Sequence, residues 1–141
     1  MSLTVSIQNN TAAKVQAALA AAQSALKTSA PLAAQLFVDE AKAIVPVLTG
    51  HLRDGIRQVS VTDEPNVQVI AVTPTKDAEN DYGFDPPYAR RIEFGFVGAD
   101  RLGRHYNQAA QPYMRPAFDV QQGPAASALK AAVLAAVKGG A

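Results

Sequence analysis

"YARRIEFGF", residues 88 to 96, carries two periods at once. Tyr88 and Ala89, four and three residues before Ile92, suit one face of a helix, whereas Ile92, Phe94 and Phe96 alternate like a strand. We read the stretch as a short helix running into a strand. That reading decides the fold class, because it places helix and antiparallel sheet side by side in one α+β unit.

Upstream, residues 57 to 73 keep the strand period. Val59 and Val61 alternate with polar neighbours, as do Val67, Val69 and Ala71 after the turn "DEPN", which gives a β-hairpin. The first third is alanine-rich and helical. Val15, Leu19, Ala22 and Leu26 share a face after an N-cap at Thr11, and Phe37, Ala41, Ile44 and Leu48 continue the stripe, leaving Asp39, Glu40 and Lys42 wet. Pro31 predicts a kink or a fresh helix capped by Thr28 or Ser29, and Pro46 with Gly50 ends the run.

Downstream, "GADRLGRHYNQAAQ" reads as a polar loop, and Pro116 opens a closing helix that Gly123 and Pro124 interrupt before Leu129, Val133 and Val137 resume it. Residues 74 to 87, "PTKDAENDYGFDPP", have no period and form a long loop. The expected architecture is a single domain over 1–141: a long N-terminal helix, an antiparallel sheet of about four strands and a C-terminal helix packed on it. Frayed ends are expected at about 1–8 and 138–141.

With 141 residues, 48% hydrophobic and 18% charged, the chain is long enough for one globular core. Thirteen Lys and Arg against twelve Asp and Glu leave +1, which argues against a polyanion-coating surface. The absence of Cys excludes disulfides and thiolate chemistry. The start "MSLTVSIQNN" lacks a basic and an apolar signal-peptide region, and no apolar run is long enough to cross a bilayer, so no membrane partner is expected.

Catalytic apparatus is hard to find. Asp77, Glu79 and Asp81 begin like a calcium loop, but the places that need Gly and a closing Glu hold Tyr82 and Tyr88. His51 and His105 have no companion ligands nearby in sequence, and Asp39 and Glu40 diverge on a helix. We therefore expect no enzyme, no metal and no cofactor. The charge is polarised instead. Arg90, Arg91, Arg101, Arg104 and Arg115 face only Glu93 and Asp100 between residues 88 and 118, while Lys76 faces Asp77, Glu79, Asp81 and Asp85 in the preceding loop. Such blocks either orient partner subunits or are simply solvated.

Three motifs carry a family resemblance. "VPVLTGHLRDGI" (45 to 56), "YARRIEFGF" (88 to 96) and "QPYMRPAFD" (111 to 119) together resemble the tail-completion, or head-tail joining, proteins of long-tailed double-stranded DNA bacteriophages. Gly55 and Phe96 stand where that pattern has serine and threonine, and the 74–87 loop is longer than usual. The resemblance implies a structural virion protein at the neck or upper tail, assembled in the host cytoplasm. It would form a homo-oligomeric, six-fold ring that joins the capsid connector or adaptor to the tail tube or tail terminator, with double-stranded DNA passing through the lumen. The alternatives are a tail terminator and, further off, a DNA-binding module.

Each motif also has a physical reading. Thr49 caps the turn after the helix, and Leu52 with Ile56 offers an apolar face. Glu93 is expected to pair with Arg53 or Arg115. Pro112 and Pro116 stiffen the segment that presents Tyr113, Met114 and Arg115. Tyr88, Phe94 and Met114 are also candidates for the core. The expected interface set is Arg53, Arg90, Arg91, Glu93, Tyr113, Met114 and Arg115.

Overall fold

Alanine dominates the first helix, and it forms without interruption. The computed structural model describes residues 10–48, 50–64, 66–74 and 86–139. Helix α1 runs Thr11–Ile44 straight through Pro31, with Asn10 rather than Thr11 as its N-cap. Thr28 and Ser29 do not start a new helix. Their hydroxyls donate back to the carbonyls of Ser24 and Ala25, at 3.0 and 2.6 Å. A proline inside a helix costs about 3 kcal/mol, and burial of Ala33, Ala34, Val38 and Ala41 just beyond it offsets that cost.

The buried stripe is rotated from the one expected. Val38, Ala41 and Val45 enter the core, Phe37 is half-buried, and Ile44 and Leu48 are exposed, Leu48 at 90%. The helix ends at Ile44, so the helical period no longer governs Leu48. Val15 and Leu19 are likewise exposed. After the helix Gly50 adopts φ 87°, a left-handed value that suits glycine, and its carbonyl accepts from the Asp54 amide at 2.9 Å. The cap expected at Thr49 lies outside the described residues. The short helix α2 (His51–Gly55) then delivers Leu52, and Ile56 beyond it, into the core.

The hairpin forms as expected, from β1 (Ile56–Glu64) and β2 (Val67–Pro74). Pairing runs out to Glu64 and Val67, tighter than a four-residue turn, and a bulge between Ser60 and Thr62 sets Val61 out of register. The ribbon lies along α1, with Gln58 Nε2 reaching Gln35 Oε1 at 3.5 Å and Gln23 Nε2 donating to Asn66 Oδ1 at 2.8 Å at its tip.

Residues 86 to 108 resolve the double period. Helix α3 (Pro86–Phe94) leads into β3 (Phe96–Ala99), which pairs with β4 (His105–Gln108). Two of the expected loops shift accordingly: Pro86 and Pro87 belong to the first turn of α3, where no intrahelical donor is needed, and the polar stretch after Gly98 contains a strand. The rest of the predicted 74–87 loop, with the calcium-like carboxylates, lies outside the described residues. Among the described residues four strands form two separate pairs rather than one sheet, since α3 and the left-handed turn at Gly95 (φ 75°) carry β3 away from the first ribbon.

Helix α4 (Met114–Gly139) is also continuous, passing through Gly123 and Pro124. Its contact with α1 is the most extensive between any two elements. Phe118 stacks on Phe37 at 5.7 Å, and Gln121 donates to Glu40 at 2.9 Å. That long helix contact, with Ala117 and Ala125 buried, outweighs the break expected at Pro124.

One carboxylate closes the fold. Glu93, only 9% exposed, accepts from three backbone amides: Tyr113 (2.8 Å) and Met114 (3.0 Å) on Oε2, and Arg115 (3.1 Å) on Oε1. The first turn of α4 is thereby satisfied throughout, because Pro116 has no N–H and the Ala117 amide donates to Tyr113 O at 3.3 Å. The negative charge also sits at the positive end of the helix dipole. The ion pair expected with Arg53 or Arg115 is not formed. Beside this contact Gln111 N donates to Ile92 O at 2.7 Å. A Cβ on Gly95 would come within 2.8 Å of Gln108 O, so the chain passes there only because residue 95 has no side chain.

Glu93→Gln replaces one acceptor oxygen with an NH2 that faces amide donors, and is expected to cost about 2–4 kcal/mol in urea unfolding. A change below about 0.5 kcal/mol, the usual range for surface substitutions, would show that this carboxylate does not hold the helix.

Candidate functional site

The same carboxylate organises an open cleft between α3, the end of β2 and the start of α4. Its volume is about 730 Å³, and its walls are mainly apolar. Thr73 and Pro74 come from β2, Ala89, Arg90, Glu93 and Phe94 from α3, and Tyr113, Met114, Arg115 and Phe118 from the entry to α4. Phe94 is 73% exposed and Phe118 54%, while Arg90 and Arg115 are exposed beside them. Aromatic rings flanked by guanidinium groups are the residue types that dominate protein interfaces.

The structure brings together five of the seven expected interface residues, in different roles. Arg90 and Arg115 are exposed, Met114 is half-buried against the core, and Glu93 holds the backbone. Tyr113 is 1% exposed and belongs to the core of the isolated chain. The segment between Pro112 and Pro116 therefore presents Arg115 and part of Met114, while Tyr113 points inward. Arg53 and Arg91 lie apart from the cleft. Arg53 pairs with its neighbour Asp54 at 3.3 Å. Arg91 stacks 4.3 Å above the ring of Phe96, which makes that phenylalanine a platform for α3.

Phe94, also a core candidate in the sequence, is an exposed cleft residue. Phe118 was missed, because helix period alone does not say which side of α4 the hairpin leaves open. Tyr88 is on α3, and its side chain is outside the described set. Leu52 and Ile56, read as an apolar face, are core.

The β3–β4 arm has a separate network centred on Asp100. Its Oδ1 accepts from the amides of Leu102 and Arg104, each at 2.9 Å, and its Oδ2 from Arg104 Nε at 2.6 Å and the Tyr106 hydroxyl at 3.1 Å. These donors, the Arg104 amide foremost, hold the carboxyl below its ordinary 3.8, and the same bond raises the Tyr106 hydroxyl. The network shapes a turn at Gly103 (φ 75°). Among the described residues no group of three or more His, Cys, Asp or Glu side chains is placed to hold a metal ion, and no helix is long and apolar enough to cross a membrane.

Burial, and secondarily the charge of Glu93, pushes the Tyr113 hydroxyl up from 10.0 to about 12. A group whose folded pKa is raised contributes stability that is complete below its unfolded value and is lost as pH rises through the folded one. Absorbance titration of the tyrosines should therefore show a late step near pH 12 that Tyr113→Phe removes. In the parent, stability should fall between pH 10 and 12 more steeply than in the variant. Identical titration curves would contradict the burial of this ring against Glu93.

Residues 7–95 match a family model described as "Bacteriophage HK97-gp10, putative tail-component". No curated protein and no solved structure matches the chain. The matched span contains the first sequence motif and all of the second but Phe96, with Glu93, and ends before the third, whose amides Glu93 binds. It covers more than half of the sequence, and the chain belongs to the HK97-gp10-like family of bacteriophage tail components.

Proposed function

We propose that this tail component is a joining protein at the head-tail junction. Copies of the chain form a closed ring, six-fold by resemblance, between the capsid connector and the tail tube, and double-stranded DNA passes through the lumen. The ring assembles in the host cytoplasm and remains in the neck or upper tail of the virion. Its role is mechanical, without a reaction.

The observation that carries this reading is the cleft under Glu93. It combines two exposed aromatic rings and two exposed guanidinium groups on a rigid mount. A mount of that kind lowers the ordering cost of docking. The cleft accepts a neighbouring virion protein that presents an apolar anchor with carboxylates beside it, since Arg90 and Arg115 lie at its sides. The net charge of +1 fits a ring around DNA that must slide, because a strongly basic lumen would hold phosphates.

Phage lacking this protein should accumulate DNA-filled heads and finished tails that remain unattached, seen by electron microscopy of lysates. Joining should be restored by adding the purified protein. Phe94→Ser combined with Arg115→Glu should fold, because both side chains are exposed, and should reduce restoration at least about tenfold, the scale of one lost interface anchor. Overlong tail tubes in the deletion lysate would favour a tail terminator instead. Failure to package DNA would overturn both readings.

A further inference from the structure

The β1–β2 ribbon buries Ile56 and Val72 of its inner face against the core, yet it mixes polar residues into that face and leaves valines on the other. Its face toward α1 carries Gln58 and Ser60 beside Ile70, around a gap shared with Lys27 and Pro31, and Gln58 Oε1 is buried there without a partner. Its outer face carries Val59, Val67 and Val69, each 40% exposed or more, with Val61 of the bulge at 62%. Among the described residues no third strand pairs with either outer edge. A two-stranded ribbon with an apolar outer face and open edges is marginal alone and invites another strand. The bulge interrupts β1, so β2 has the more regular edge.

Residues 2–8, "SLTVSIQ", have the sequence pattern of such a strand. Leu3, Val5 and Ile7 alternate with Ser and Thr, which is the pattern of a half-buried strand. They lie outside the described residues, immediately before α1, and reach decides which ribbon they serve. The tip of the ribbon meets α1 at Gln23. From there back to Thr11 the helix extends about 18 Å past the tip, at 1.5 Å per residue. The chain from Asn10 back to Ser2 spans about 26 Å when extended. Folding back on its own ribbon would leave about 8 Å of overlap, room for about two residues. The alternating stretch is longer than that, so it fits the ribbon of another copy.

We propose that residues 2–8 of one copy add as a strand to the outer edge of β2 in the neighbouring copy, with Leu3, Val5 and Ile7 widening its exposed valine face. The proposal rests on the reading that copies assemble into a ring, and it names the contact that links them. Strand addition takes its affinity from main-chain hydrogen bonds and its register from the alternate side chains.

The chain has no Cys, which permits a direct test. Leu3→Cys, Val5→Cys and Ile7→Cys are each mixed with copies carrying Val67→Cys or Val69→Cys and oxidised mildly. At least one pair should give a cross-linked dimer well above a control using Leu134→Cys, an exposed site on α4. Val5→Pro, which removes a strand donor outside every described element, should weaken self-association about tenfold in sedimentation, the loss of a few strand hydrogen bonds. Cross-linking no greater than the control would overturn the proposal. So would unchanged association of Val5→Pro, or a disulfide closing within one chain in Val5→Cys/Val69→Cys. Self-association without the cross-link sinks the arm and leaves the ring, whereas arm cross-linking in a protein that phage joining does not need sinks the joining role and leaves the arm.

Discussion

The fold depends on a single buried carboxylate that binds backbone. Glu93 satisfies the amides of Tyr113, Met114 and Arg115, and this one contact does three things. It ties α3 to α4 across the β3–β4 arm, it starts α4 at a fixed residue, and it holds Phe94 and Phe118 on opposite walls of the cleft. A charged acceptor with several donors is worth more than its neutral equivalent. Among the described residues no cation is buried with it, so only one charge is desolvated rather than the two of a buried ion pair. Pro116 completes the arrangement by removing the one first-turn amide that Glu93 does not reach.

The hydrophobic contribution is comparatively thin. The core cluster consists of Val38, Ala41, Val45, Leu52, Ile56, Ala89, Ile92, Tyr113 and Ala117, and three of these are alanine. Small side chains let α1 and α4 approach closely but bury little area each, and stabilisation follows area. Tyr113 and Ile56 are the largest fully buried residues. The ring of Tyr113 is placed by the same backbone segment that Glu93 holds, so the polar contact also positions the largest piece of the core.

Local signals were legible where the period was clean. The hairpin, the switch from helix to strand at residues 88–96 and the two long helices all follow from spacing and propensity. What stayed hidden depends on distant partners. Pro31 and Pro124 look like breaks because their cost is local, while the α1–α4 contact that offsets it is not. The buried stripe of α1 turned toward Val38 and Val45, since only the positions of the hairpin and α4 decide which side of an alanine-rich helix is covered. Glu93 stood out as an acid among arginines, which made an ion pair the natural expectation. Its true partners are amides, a donor that nearly every residue carries, so nothing in the composition of 111–119 marked them beyond the prolines. The cleft was half visible for the same reason. Arg90 and Arg115 were found as charges, and Phe118 was not found, because exposure of an aromatic ring is a property of its neighbours.

The exposed surfaces differ in kind, and that difference bears on symmetry. The cleft is aromatic and cationic and sits at the α3–α4 junction. The outer face of the ribbon is aliphatic and, among the described residues, its outer edges are unpaired; only its end at Thr73 and Pro74 reaches the cleft. A two-fold dimer needs one patch that complements itself. The arginines of the cleft would repel one another across a two-fold axis, and the proposed filling of the ribbon edge by an arm from elsewhere in the sequence is an unlike pairing. Unlike pairings repeat in one direction and end only when the rotation closes. In the proposed ring, linkage through the outer edge of the ribbon would leave the cleft free for a different protein. Each subunit of that proposed ring holds its own copies together while gripping a neighbour, and the fold keeps the two contacts largely apart, because the cleft is fixed through Glu93 and takes only Thr73 and Pro74 from the end of the ribbon.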